Sequence, residues 1–130
     1  MTITLTDQDK TTLRIAAYGA VSLLAAAGDK PHKIATNGTM ALTSATGTVG
    51  HVLNEKRGTI PLKGKNVAEM ADQVLPALTA AVTLLEAQSP AEAENFRTTI
   101  TVALEAAQLH QSTPSPTLTE MTRKITESLG

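Results

Sequence analysis

The 130-residue sequence has no cysteine, no tryptophan, one phenylalanine (Phe96), one tyrosine (Tyr18) and three histidines. Without cysteine there is no disulfide framework, thiolate zinc site, iron–sulfur cluster or cysteine nucleophile. His32, His51 and His110 never stand three or four residues apart, and Glu-x-x-His does not occur, so neither a one-helix metal pair nor a di-metal bundle signature is present. We therefore expect no metal and no cofactor. The apolar run of residues 15–28, between Arg14 and Asp29, is fourteen residues long. A membrane span needs roughly 20. The first ten residues carry Asp7 and Asp9 and lack the basic start of a secretory leader. These absences point to a soluble, cytoplasmic protein.

Alanine (twenty residues) and leucine (fifteen) dominate what is present. With 42% hydrophobic and 18% charged residues, the chain is apolar enough to fold as a single helical domain over residues 1–130. A core poor in rings has to be filled by close helix contacts. The net charge of −1 conceals an asymmetry: residues 1–65 carry eight Lys or Arg against four Asp or Glu, and residues 66–130 carry three against eight. The two halves should attract, within one chain or between two.

The patterning predicts an all-α bundle of about five helices. Thr6 with Asp9 reads as an N-cap and acidic first turn, opening a helix over 7–27 that buries Leu13, Ala16, Ala17, Ala20, Leu24 and Ala27 before Gly28 stops it. Residues 34–53 fit a second helix of small residues, with a β-hairpin turning at Asn37-Gly38 as the alternative. Residues 56–65 have the Gly and Pro punctuation of a loop. Asn66 with Glu69 starts a long third helix that Pro76 should kink near residues 71–76, or break in two. Ser89-Pro90-Ala91-Glu92 combines a capping serine, proline at the first helical position and a glutamate able to reach back to the cap amide. That fourth helix runs to about His110, with Ala93, Phe96, Ile100, Ala103, Leu104 and Ala107 inward. Residues 112–116 form a linker. Thr117 with Glu120 then starts a short last helix with Leu118, Met121, Ile125 and Leu129 inward.

Two groups of residues stand out as candidate sites. Lys56, Arg57, Lys63 and Lys65 place four of the eleven cations within ten residues, a possible anion or partner contact. No aromatic side chain stands among them for base stacking, which argues against nucleic acid. Thr39, Thr43, Gly47 and Gly50 form a small-residue strip on the second helix, suited to packing against core or against a partner chain. Gly47-Thr48-Val49-Gly50 lacks the Lys of a phosphate-binding loop. Glu94 with Arg97 is a surface pair at helical spacing.

No set of side chains forms a catalytic constellation. The expectation is a non-enzymatic protein acting by self-association, as a homodimer, or by association with another protein. The alternative is a bundle that binds a small apolar ligand in a pocket lined by leucines with Met40, Met70 and Met121. Nucleic-acid binding through residues 56–65 ranks last.

Overall fold

The computed structural model describes residues 3–28, 30–55, 66–109 and 115–130. They fold into six α-helices with no strand among them: α1 (Asp7–Ala27), α2 (Pro31–Thr43), α3 (Gly47–Glu55), α4 (Val67–Gln88), α5 (Pro90–Ala107) and α6 (Pro116–Ser128). The expected all-α bundle is what forms. Its helix count is six instead of five because residues 34–53 are neither one helix nor a hairpin. α2 ends at Thr43, whose hydroxyl donates to the Met40 carbonyl, while Ser44 closes the last turn by donating its N–H to the Met40 and Ala41 carbonyls.

Local capping chemistry sets several of the starts. The Thr6 hydroxyl accepts the Asp9 N–H and the Asp9 carboxylate accepts the Thr6 N–H, both at 3.0 Å, completing a reciprocal box at the head of α1. Asn66 accepts the Glu69 N–H at 2.9 Å to start α4, and Ser89 accepts the Glu92 N–H at 3.3 Å to start α5. α6 begins two residues earlier than expected. Its cap is Ser115, which accepts the Leu118 N–H with Pro116 at the first helical position, so Thr117 lies inside the first turn. α4 runs unbroken through Pro76, whose ring is on the exposed side.

α1 is the central element and touches each of the other five helices. Its buried residues, Leu13, Ala16, Ala17, Tyr18, Ala20, Val21, Leu23 and Leu24, cover most of the helix, leaving the side of Ile15, Ser22 and Ala26 less buried. Around it, α4 and α5 turn in Val74, Leu78, Leu85, Phe96, Ile100 and Leu104, and α6 turns in Leu118, Met121 and Ile125. Small side chains permit close approach. A Cβ on Gly38 of α2 would come within 2.8 Å of a Val21 methyl of α1, so the residue that suggested a hairpin serves instead to seat α2 on the central helix.

Every helix lacks a basic residue in its own last turn. Two C-termini are answered by arginines from elsewhere. Arg14 of α1 donates to the Val52 carbonyl at the end of α3 at 3.2 Å, and Arg97 of α5 donates to the Leu129 carbonyl at the end of α6 at 3.1 Å. Both satisfy carbonyls that the helices themselves leave open and place positive charge where the helix dipole favours it.

Candidate functional site

α3 is the shortest helix, and it is held at both ends by side chains of other helices. At its N-terminus, the Glu92 carboxylate accepts the Val49 N–H at 3.2 Å, while the Asn95 amide donates to the Thr46 carbonyl at 2.9 Å and to Glu92 at 3.4 Å. Glu92 therefore does not reach back to its own cap amide as the local sequence suggests. The Ser89 N–H is already bonded to the Leu85 carbonyl at 2.7 Å, so the carboxylate turns outward to the next helix. At the other end, Arg14 adds a 3.0 Å bond to Glu55, and the Tyr18 hydroxyl donates to the Leu53 carbonyl at 2.7 Å. Arg14 and Tyr18 are both buried.

The expected strip of Thr39, Thr43, Gly47 and Gly50 is divided by this arrangement. Thr39 and Thr43 lie half-buried on α2, and Gly47 opens α3 with φ +71°, a conformation that glycine adopts without a Cβ penalty. Gly50 is buried where α3 folds back on the α2–α3 turn, and a Cβ there would collide with the Ala45 carbonyl. Its small size thus serves an intrachain contact. Lys56, Arg57, Lys63 and Lys65 lie outside the described residues, as does His110.

The small-residue character of this region reappears as a seam between the end of α2 and the outer side of α5. A cleft of about 180 Å³ runs there between Ala41 and Ala45 on one side and Thr98, Thr99 and Val102 on the other. None of its lining residues is charged. Met40, next to Ala41, is 62% exposed, and Val102 is 47% exposed. Seven residues beyond Val102, just past the end of α5, Leu109 is also exposed. Sequence periodicity correctly assigned the buried side of α5 but gave no signal for the apolar residues on its outer side.

A larger cleft, about 680 Å³, lies on another face between the segment preceding α1 and α3, bordered by Ile3, Leu5, Lys10, Thr48, His51 and Val52. Met40, Met70 and Met121 border neither cleft: Met40 is exposed, Met70 half-buried against the core and Met121 buried in it. His32, expected in a linker, is exposed in the first turn of α2.

The ion pairs made by Lys10, Arg14, Arg97 and Arg123 stay within the half of the chain to which each belongs. Lys10 and Arg14 meet Glu55, Arg97 meets Glu86 and Glu94, and Arg123 meets Glu120 and Glu127. The expected Glu94–Arg97 pair is present at 3.3 Å. The hydrogen bond to Glu86, ahead of the contact with Glu94, holds the Arg97 guanidinium above its ordinary pKa. Among the described residues no three His, Asp or Glu side chains are grouped to hold a metal ion, and no helix is long and apolar enough to cross a membrane. No protein-family model, curated protein or solved structure matches the chain.

Proposed function

We propose that the protein acts by association with another protein chain, with no chemistry of its own, and that the α2/α5 seam is the contact face. The observation that carries this reading is the coincidence of an uncharged wall of small residues with the exposed side chain of Val102, beside which Met40, next in sequence to the wall residue Ala41, is also exposed. Covering such side chains removes apolar surface from water at about 25 cal/mol per Å², and small walls let a partner helix approach closely. A second copy of this chain is the first partner to test.

Sedimentation velocity over a wide concentration range tests the reading. The expected result is a concentration-dependent dimer that Met40→Glu and Val102→Glu dissociate while leaving the helical circular dichroism unchanged. A single monomeric species at every concentration would remove self-association, and a dimer indifferent to both substitutions would move the contact to another face.

A further inference from the structure

The segment before α1 runs across the bundle and is tied to the far end of α4. The Gln88 side-chain amide accepts the Thr4 N–H at 2.7 Å and donates to the Thr4 carbonyl at 2.6 Å, the two bonds that a neighbouring strand would supply. Ile3 and Leu5 are packed half-buried against the core on either side of this tie. They thereby form one wall of the 680 Å³ cleft, with Val52 opposite. The volume falls within the range of about 300–1,000 Å³ usual for small-molecule sites.

The ionisable side chains lining the cleft are Lys10 and His51, and no carboxylate is among the lining residues. Lys10 is half-buried and ion-paired with Glu55 at 3.8 Å, a contact too long for a hydrogen bond, so its N–H groups can still turn to a ligand. Lys10 and Arg14 share the single Glu55 carboxylate, which leaves one net positive charge. Glu55 meanwhile has a shorter bond to Arg14, at 3.0 Å. Gly47 and Thr48 bring the start of α3 to the same cleft, although Glu92 offsets the positive end of that helix, leaving Lys10 as the main charge. An apolar side made by Ile3, Leu5 and Val52 beside a net positive charge at Lys10 suits a molecule that is apolar along its body and anionic at one end.

We propose that this cleft binds a small amphipathic carboxylate, its apolar body against Ile3, Leu5 and Val52 and its carboxylate at Lys10. The site shares no lining residue with the α2/α5 seam, so its success or failure is separate from that of association.

The test is a titration of the full chain with octanoate, followed by amide chemical shifts, with octan-1-ol as the uncharged control. Octanoate is expected to give saturable shifts at Leu5, Thr48 and His51, with octanol roughly tenfold weaker, as loss of a charged hydrogen bond implies. Lys10→Gln should weaken octanoate by the same factor and leave octanol unchanged. Gln88→Leu, which frees the wall without touching the ligand, should weaken both. Equal affinity for acid and alcohol, an unaffected Lys10→Gln variant, or shifts that do not saturate would each overturn the proposal. Repeating the titration on Val102→Glu separates it from any effect of association.

Discussion

Glu92 and Arg14 stand at opposite ends of α3, the first accepting the Val49 N–H and the second donating to the Val52 carbonyl. One comes from α5 and the other from α1, so a nine-residue helix receives a negative charge at its positive end and a positive charge at its negative end. α3 itself does the reverse, since its last residue is the acidic Glu55. Arg14 and Lys10 answer that residue from α1.

Glu92 is therefore more important than a local capping residue. Glu92→Ala is expected to destabilise the protein by about 2 kcal/mol, through loss of a charged bond to a helix N-terminus in a half-buried setting. Ser89→Ala removes a single cap bond and should cost about 1 kcal/mol. Denaturant titration of both variants checks the order. Local reading of the Ser89–Glu92 motif gives the opposite order, and a milder Glu92→Ala would show that the bond to Val49 contributes little.

At the other end of α3, Arg14→Ala should cost about 2–3 kcal/mol. It strands the Val52 carbonyl and leaves Glu55 with only the longer contact to Lys10, though the partial exposure of Glu55 lowers the penalty below that of a fully buried pair. Tyr18→Phe keeps the ring and removes the hydroxyl that donates to the Leu53 carbonyl, for about 1 kcal/mol. Thermal unfolding monitored by circular dichroism distinguishes the two. Equal effects would mean that the guanidinium is replaced by water at little loss.

Phe96 is fully buried and is the largest of the completely buried side chains in the alanine-rich core. Phe96→Ala is expected to cost about 3–5 kcal/mol, the largest effect among these substitutions, because the small neighbours can collapse only partly into the space. Phe96→Leu should recover most of the loss. A denaturant midpoint for Phe96→Ala close to that of Ser89→Ala would contradict this packing.

Acid should weaken one contribution from α6. The Arg123 hydrogen bond holds the Glu120 carboxyl below its ordinary pKa, so the ionised form is favoured by folding. Its contribution is present above the ordinary carboxylate value and is lost as pH falls through the lower folded-state value. Both side chains are exposed, so the effect is small. Glu120→Gln should be slightly less stable than the natural chain at neutral pH, and the difference should vanish at the acid end of a pH series of melting curves. A gap that widens in acid would reverse the assignment.

The parts of the fold written in short-range chemistry could be read directly. Thr6 with Asp9, Asn66, and Ser89 with Pro90 each satisfy amides within three residues, and the buried side of α5 follows from spacing around Phe96. The α2–α3 break could not be read in the same way. No proline marks residues 44–46, and the turn is fixed by the distant Asn95 bonding Thr46 and by Gly50 fitting under Ala45. Arg14 looked like the polar boundary of an apolar run. Its burial depends on the carbonyls of a helix thirty-eight residues away, which no local window contains. The cleft and the seam are likewise products of tertiary packing, and their residues carry no motif.

The borrowed ends of α3 also impose an order of assembly. A helix of nine residues is too short to persist alone in water, where isolated helices below about 12–15 residues are marginal. Its amide and carbonyl partners exist as a pair only after α5 and α1 have come together, so α3 condenses onto a bundle already in place. Substitutions at Glu92 and Arg14 then act chiefly on the unfolding limb of a chevron plot, whereas Phe96 acts on both. On this account the native chain opens at α3 first: the segment joining the seam to the 680 Å³ cleft is the one most readily released while α1, α4 and α5 stay packed.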